Sequence, residues 1–319
     1  MLIESDFPFL VIDFEGKQLT KQDAQLLSHP AVGGVVLFGR NDQCKEGLQK
    51  LCQSIKAIDN EIIIMVDQEG GRVQRLKEGC GALPELSALS KDYAISPKIA
   101  QEKVRQAGRA CAAYIKSCGI DLNFAPVLDL HHESSQIIGK LGRAFHTDPD
   151  VVTDLAEIWI SEHHLQGVLV TGKHFPNHGC VVGDTHLDVV VDDRPEAGIK
   201  SHDMIPYIKL QEKLDMVMTA HVIYTQCDDK PATLSPYWHN VLRNEIGYSG
   251  LVATDCLSME GLQGNYSDNL NAALSAGCDY VLMCNCRDSV NQLMENDFKI
   301  KGYQALSRLK TRVESPNEP

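Results

Sequence analysis

The chain has 319 residues, 43% of them hydrophobic, so it can bury a large core, and general disorder is excluded. Its 30 Lys and Arg against 43 Asp and Glu give a formal charge of −13, which repels phosphate backbones and anionic lipid. The charge therefore argues against a nucleic-acid or membrane-surface partner and favours a soluble protein. The sequence does not indicate an oligomeric state.

The N-terminus and the cysteines indicate the cellular compartment of the protein. No basic leader precedes the short apolar stretch 7–12, and no run approaches the roughly 20 apolar residues of a spanning helix. The 11 cysteines are odd in number and lack paired Cys-x-x-Cys spacing, which argues against a disulfide framework. We therefore expect a cytoplasmic protein. Cys284 and Cys286 are compatible with a metal or redox site, but buried thiols at the end of an apolar strand are commoner.

Short apolar runs rich in β-branched residues recur along the chain and predict eight strands. In chain order they are 9–14, 32–38, 62–66, 121–128, 168–171, 216–219, 251–254 and 280–283. Stretches with helical spacing lie between them, at 23–28, 44–58, 99–117, 151–166 and 201–213. Continuous apolar strands that alternate with amphipathic helices are typical of a parallel sheet covered by helices.

These elements and the chain length predict an α/β fold, a single (β/α)₈ barrel domain of the TIM type over residues 1–319. No linker or composition break divides the chain, and a frayed C-terminal tail is expected from about residue 308. An open doubly wound sheet is the alternative. Against it, no Gly-x-Gly-x-x-Gly motif follows the first strand.

Polar residues follow several predicted strands at the point where each strand ends. Asp67 follows the third strand, Lys173 and His174 the fifth, His221 the sixth and Asp255 the seventh. Active sites of barrels are assembled at this end of the strands. We therefore expect these side chains to converge at one mouth of the barrel, although each alone could be a solvated loop residue.

Two features near this mouth suggest acid–base and nucleophilic chemistry. Asp184 and His186 flank Thr185, so in an extended stretch their side chains leave on the same side and can pair, which would orient the imidazole for proton transfer. The alternative is a hydrogen bond that only fastens the loop. Asp255 could cap a helix, or it could attack an anomeric carbon while His186 protonates the leaving oxygen.

Several long segments resemble, in the right order, the family 3 glycoside hydrolases, and specifically their single-domain bacterial β-N-acetylglucosaminidases of cell-wall recycling. The resemblance runs from about residue 8 to about residue 290. The segments that carry it are 37–41 (LFGRN), 67–75 (DQEGGRVQR), 123–129 (NFAPVLD), 142–145 (GRAF), 173–176 (KHFP), 184–186 (DTH) and 254–259 (TDCLSM).

The resemblance implies a retaining exo-β-N-acetylglucosaminidase, a β-N-acetylhexosaminidase, that needs no metal and no other cofactor. It implies Asp255 as the nucleophile, His186 as the acid/base and Asp184 as the carboxylate that tunes it. The residues implied to hold the terminal N-acetylglucosamine are Asp67, Arg75, Arg143, Lys173 and His174. The implied substrate is a small saccharide from peptidoglycan, N-acetylglucosamine β-1,4-linked to anhydro-N-acetylmuramic acid, with or without a peptide.

Two positions depart from the family pattern. Asn177 stands where Gly is usual, and Cys256 stands where a second Asp usually follows the nucleophile. Asn tolerates the left-handed backbone that Gly would adopt, so the loop shape is expected to be kept. The charge lost beside Asp255 is expected to change the rate rather than the chemistry. Arg72 is left out of the site because a salt bridge that braces its loop explains it better.

Two rival functions come from other classes. A sugar-binding protein that has lost catalysis is suggested by Asn177 and Cys256, but Asp184, His186 and Asp255 argue against it. A metal-dependent barrel hydrolase could use the 12 histidines, but no His-x-His ends the first strand. Transfer of the sugar to phosphate in place of water would use the same residues and stays open.

Overall fold

A closed barrel of eight parallel strands forms the centre of the computed structural model, which describes residues 2–5 and 8–300. The strands, labelled β1 to β8, are Leu10–Ile12, Val32–Leu37, Ile63–Val66, Leu122–Asn123, Leu169–Phe175, Met216–Thr219, Leu251–Cys256 and Tyr280–Leu282. Each strand pairs with the next, and β8 pairs with β1 through Val281 and Leu10. This closure confirms the predicted barrel and excludes the open sheet, whose edge strands would stay apart.

Helices connect the strands. In the described residues the α-helices, labelled α1 to α10, are Lys21–Leu27, Lys45–Ile58, Leu86–Ser90, Pro97–Cys118, Pro149–Leu165, Glu196–Gly198, Ile205–Leu210, Pro236–Asn240, Tyr266–Ala276 and Arg287–Leu293. The predicted helix over 201–213 is wrong as one element, because a π-helical turn covers Ile199–Asp203 before α7 begins. Pro206 lies in the first turn of α7, where its missing N–H costs no hydrogen bond.

Local signals explain the longest helix. Pro97 opens α4, and Gly119 ends it in a left-handed conformation at φ 86°. Along the earlier helix α2, the buried residues Leu48, Leu51 and Ile55 recur at helical spacing and pack in the core.

Alternate residues along each strand point into the barrel, and the residues between them point outward to the helices. The interior cluster takes residues from every strand, namely Val11, Val36, Ile63, Met65, Leu122, Leu169, Met216, Met218, Ala253, Tyr280 and Leu282. The residues between them, such as Ile64 and Val66, pack in the larger cluster with the helices. Because side chains alternate along a strand, Asp67 continues the inward-facing set of Ile63 and Met65.

Three two-stranded pairs lie outside the barrel: Leu2–Ser5 with Asp297–Ile300, Gln68–Gly70 with Val73–Gln74, and Val190–Asp192 with Val222–Tyr224. None of the described helices is long and apolar enough to cross a membrane. The tail expected from about residue 308 lies outside the described residues, and one domain over 1–319 stays a prediction.

Candidate active site

A cavity of about 610 Å³ opens at the C-terminal ends of the strands. Its wall includes all eight residues that the sequence nominates, namely Asp67, Arg75, Arg143, Lys173, His174, Asp184, His186 and Asp255. Lys173 lies in β5, and Asp255 lies in β7 two residues beyond the inward-facing Ala253. Of the side chains expected to converge at one mouth of the barrel, Asp67, Lys173, His174 and Asp255 therefore share this cavity, whereas His221 does not line it.

A network of buried ions forms one side of the cavity. Glu69 accepts hydrogen bonds from Arg143 at 2.8 and 2.9 Å, and its carboxylate lies 2.7 Å from the Lys173 ammonium. Lys173 also donates to Asp67 at 2.8 Å, and Arg75 lies 3.5 Å from the same carboxylate. Lys173 is 2% exposed and Glu69 1% exposed, so neither charge is balanced by water.

The ion network keeps its members charged. Burial favours the neutral form of Glu69, but Arg143 and Lys173 overcome it and hold the pKa of Glu69 at about 2. Burial likewise opposes ionisation of Asp67, yet Lys173 and Arg75 lower its pKa. Glu69 is the member to which the sequence analysis gave no role. Its position two residues after Asp67, on a strand beside the mouth, is the signal that could have found it.

A second buried group centres on Asp129. Its Oδ2 accepts from His174 Nδ1 at 2.7 Å, and its Oδ1 accepts the backbone N–H of His178 at 2.7 Å. Burial lowers the pKa of His178 to about 4, so this imidazole is neutral, and its Nε2 lies 3.1 Å from Thr185 Oγ1. Asp129 thus holds His174 and the loop that follows it, a role that the sequence analysis did not assign.

Asp184 and His186 form the expected pair, but in a turn and not in an extended stretch. Asp184 Oδ1 accepts both from His186 Nδ1 at 2.8 Å and from its backbone N–H at 2.9 Å. The second bond links an Asp side chain to the N–H two residues on, which closes the turn that begins at Thr185. The His186 side chain is 61% exposed, and its Nε2 makes no hydrogen bond to a described residue.

Asp255 faces the cavity as a carboxylate. Burial opposes its ionisation, but the imidazoles of His174, His221 and His186 and the backbone N–H of Cys256 lower its pKa. The Cys256 N–H donates to Asp255 Oδ1 at 2.7 Å. Because Asp255 lies inside β7, it does not cap a helix, and that alternative is wrong.

His221, two residues after the end of β6, contacts the carbonyl of Cys256, the residue that follows Asp255. Its Nε2 lies 3.0 Å from the carbonyl oxygen of Cys256, and its Nδ1 lies 2.8 Å from Thr233 Oγ1. A donor at Nε2 fits the carbonyl, so the Thr233 hydroxyl faces the unprotonated Nδ1. The sequence placed His221 at a strand end without giving it this role.

The explanation offered for Asn177 is wrong. Among the described residues Asn285 is the only non-glycine residue with positive φ, at 58°, so Asn177 does not have a left-handed backbone. Its buried side chain instead accepts the backbone N–H of Gly179 at 3.0 Å. The brace expected for Arg72 is also wrong, because Arg72 lines the cavity and forms no salt bridge within the part of the chain that the structure describes.

In the described ranges, no group of three or more His, Cys, Asp or Glu side chains is arranged to hold a metal ion. The candidate site consists of a carboxylate, an Asp–His pair and a set of buried ions. Such a set can supply a nucleophile, a proton donor and fixed hydrogen-bond partners for a polar ligand.

Comparison with known proteins gives consistent results. The profile of the glycosyl hydrolase family 3 N terminal domain matches residues 9–314. The beta-hexosaminidase of Pasteurella multocida is 42% identical over 294 residues, which is 90% of this chain and 82% of that protein. The beta-hexosaminidase of Bordetella avium is 42% identical over 315 residues, which is 97% of this chain and 89% of that protein.

Solved structures agree with the sequence relatives. Native NagZ from Neisseria gonorrhoeae is 38% identical and superimposes with a TM-score of 0.88 over 96% of this chain and 89% of that chain. The same protein in complex with N-trifluoroacetyl-D-glucosamine gives a TM-score of 0.89 at 38% identity, with the same coverage of both chains.

Proposed function

Because the chain belongs to glycosyl hydrolase family 3, as an enzyme of the β-hexosaminidase type, we propose that it is a retaining exo-β-N-acetylglucosaminidase. The observation that carries this proposal is the meeting of Asp255 and the Asp184–His186 pair on one cavity wall. A rigid carboxylate and a separately held proton donor are the two groups that a retaining glycosidase needs.

The reaction has two steps. In the first, the Asp255 carboxylate attacks the anomeric carbon while His186 Nε2 gives a proton to the departing glycosidic oxygen. In the second, the neutral imidazole takes a proton from water, and the resulting hydroxyl displaces Asp255 and releases the sugar. Asp184 stabilises the imidazolium of the first state through its bond to Nδ1.

The buried ion network holds the non-reducing-end sugar. Glu69 fixes the directions in which Arg143 and Lys173 donate, and Asp67 accepts from sugar hydroxyls. The Neisseria gonorrhoeae neighbour crystallised with an N-acylated glucosamine, which supports N-acetylglucosamine as the sugar. Arg75 and His174 complete the set on the same wall.

We further propose that the substrate is the peptidoglycan fragment N-acetylglucosamine-β-1,4-anhydro-N-acetylmuramic acid, with or without its peptide. The reaction would belong to cell-wall recycling in the cytoplasm, carried out by one catalytic domain. The resemblance of the segments 67–75, 173–176 and 254–259 supports the substrate, and the unpaired state of the described cysteines fits a reducing compartment.

Turnover of an aryl β-N-acetylglucosaminide and of the natural disaccharide tests the proposal. We expect hydrolysis of both, release of the β-anomer first in NMR, and much weaker turnover of the matching glucoside, because the site would leave polar groups unpaired. Asp255→Asn should reduce kcat on the order of a thousandfold or more, since the covalent route is lost. Asp215→Asn, the same change at a buried carboxylate of the opposite mouth, is the matched control and should keep kcat.

Several outcomes would contradict this reading. Binding of N-acetylglucosamine without turnover would identify the sugar-binding alternative. Activity lost with EDTA and restored by zinc would identify a metal-dependent hydrolase, and formation of sugar 1-phosphate in phosphate buffer would identify a phosphorylase. Equal kcat/KM for the glucosaminide and the glucoside would overturn the assignment of the ion network.

A further inference from the structure

Two thiols from neighbouring strands meet beside the proposed nucleophile. Cys256 ends β7, Cys284 follows β8, and both lie in the cavity wall. The strands bring them together because Cys256 and Leu282 are register partners, and Cys284 lies two residues further on the same inward-facing side. The sequence had drawn attention to Cys284 and Cys286, but the partner of Cys284 is Cys256.

The sulfur of Cys256 is surrounded by polar groups. The backbone N–H of Cys284 donates to it at 3.2 Å, and the Ser258 hydroxyl oxygen lies 3.1 Å from it. The Cys284 thiol has the largest influence in lowering the pKa of Cys256, burial opposes it, and Ser258 adds to the lowering. Donors directed at a sulfur favour the thiolate, which is the reactive form.

The Cys284 thiol differs from the Cys256 thiol in its burial and in the direction of its pKa shift. It is 1% exposed, and its contact with Cys256, together with burial, raises its pKa well above the ordinary range. Cys286 is nearby but does not line the cavity, and burial raises its pKa to about 12. Cys256, the more exposed of the two thiols, therefore lies against the buried Cys284 thiol, whose raised pKa keeps it protonated.

We propose that Cys256 and Cys284 form a peroxide-sensitive modification site whose oxidation to a disulfide reversibly stops hydrolysis. The Cys256 thiolate attacks hydrogen peroxide, the O–O bond breaks, and a sulfenic acid and hydroxide result. The Cys284 thiol then attacks the sulfenic sulfur, its proton leaves with the hydroxyl as water, and the S–S bond forms. Hydroxide and a proton from solvent complete a second water, so two thiols and one peroxide yield one disulfide and two waters.

Oxidation would disturb Asp255 through the backbone. The Cys256 N–H bonds to the Asp255 carboxylate, and the Cys256 carbonyl bonds to His221, so both ends of this residue position the nucleophile. Drawing the sulfur away from Ser258 and towards Cys284 shifts this residue. We expect kcat to fall by about tenfold or more, because a displacement of about 1 Å can cost a hundredfold. This consequence rests on the proposed function, whereas formation of the bond does not.

The test uses the full-length protein, reduced, freed of reductant, exposed to hydrogen peroxide and then blocked with N-ethylmaleimide. Trypsin alone leaves both cysteines in one peptide, since no Lys or Arg lies between Arg243 and Arg287, and additional cleavage after Glu260 separates them. We expect a linked pair of peptides, two hydrogens lighter than the reduced pair, to increase as activity falls. Dithiothreitol should reverse both changes.

Three variants make the result specific. Cys286→Ser is the matched control, because it removes an adjacent thiol outside the cavity wall, and it should respond to peroxide as the wild type does. Cys256→Ser should retain its own starting activity under the same exposure. Cys284→Ser should accumulate a sulfenic acid at position 256 that dimedone labels.

Absence of the 256–284 linkage, or a linkage between other cysteines, would overturn the site. Equal inactivation of Cys256→Ser and the wild type would overturn the link between oxidation and activity. If the untreated enzyme shows no turnover, the proposed function fails, while the peptide measurement still decides whether the dithiol site exists.

Discussion

The proposed acid/base depends on one neighbour for its orientation. Asp184 binds both Nδ1 and the backbone N–H of His186, which fixes the tautomer and leaves Nε2 to exchange protons. The imidazole is mostly exposed, so packing contributes little to its position. Burial opposes ionisation of Asp184, but the N–H and ring of His186 lower its pKa, so the pair keeps a carboxylate at neutral pH.

We expect the activity that His186→Ala loses to depend on the leaving group of the substrate. A nitrophenolate departs without a proton, so Asp255 should still be glycosylated and the intermediate should accumulate. A sugar leaving group needs protonation and should lose roughly a hundredfold or more in kcat/KM. Asp184→Asn keeps the imidazole but weakens its orientation, so its losses should follow the same pattern and be smaller. Kinetics on both substrates, with intact mass to detect the adduct, make the comparison.

Equal losses of His186→Ala on both substrates, without any adduct, would contradict the acid/base assignment. His178 is the other imidazole on this loop, and it is the residue to examine next. Its Nε2 contacts Thr185, and burial holds its pKa at about 4, so it is a poor proton donor at neutral pH in the present geometry.

The sequence could identify site residues whose position follows from a strand end or a loop motif. Asp67, Lys173 and Asp255 are of this kind, since side-chain alternation directs each one into the barrel. It could not identify the contacts that hold them in place. Glu69 and Arg143 are 74 residues apart, and their ion pair exists only because separate loops meet over the barrel.

An aspartate recurs at the start of alternate barrel strands, at the mouth opposite the cavity. Strands β4, β6 and β8 each begin after an aspartate that accepts a backbone N–H of the preceding strand. The pairs are Asp121 with Ile64 at 2.9 Å, Asp215 with Val170 at 2.9 Å and Asp279 with Val252 at 2.8 Å. Each aspartate also contacts a basic side chain of the helical layer, namely Lys56, His164 and Arg243 respectively. These contacts fix the register of adjacent strands.

Removing one of these carboxylates should destabilise the fold and leave catalysis unchanged. Asp215→Ala leaves the buried N–H of Val170 without its acceptor, which costs about 1–3 kcal/mol of unfolding free energy. KM and kcat of the folded enzyme should stay within the error of the assay, because Asp215 lies at the N-terminal end of β6. Urea unfolding together with steady-state kinetics provides the measurement. A large kcat effect with unchanged stability would contradict this structural role.

The number and order of strands could be predicted because the barrel strands are largely buried on both faces and therefore contain continuous apolar runs. The ends of the strands could not be predicted. The apolar run 168–171 stops before β5 ends at Phe175, because Lys173 and His174, which line the cavity, interrupt the apolar pattern. The predicted strand 121–128 contains Pro126, which has no N–H to donate, and the regular ladder covers only Leu122–Asn123.

Buried ionisable groups make the unfolding free energy of the whole protein depend on pH. Burial lowers the pKa values of His163, His178 and His239 to about 4, well below the value of about 6.5 in an unfolded chain. The folded protein therefore keeps three neutral imidazoles that the unfolded chain would protonate. Their stabilising contribution is complete above about pH 6.5 and is lost as the pH falls towards 4.

His163 allows this dependence to be tested. Its Nδ1 donates to the carbonyl of Trp159 at 2.9 Å, so its Nε2 accepts from the Asn123 side chain at 3.1 Å, an arrangement that a protonated ring would break. In His163→Gln, which cannot be protonated, the unfolding free energy should fall less steeply between pH 6.5 and 4, by up to about 1.4 kcal/mol per pH unit. Urea unfolding at several pH values measures the slope, with the exposed His202→Gln as the matched control. An unchanged slope in His163→Gln would mean that His163 takes up a proton in the folded protein as readily as in the unfolded chain. The loss of stability between pH 6.5 and 4 would then have to come from His178 and His239, and only the further loss below about pH 4 from buried carboxylates such as Glu69.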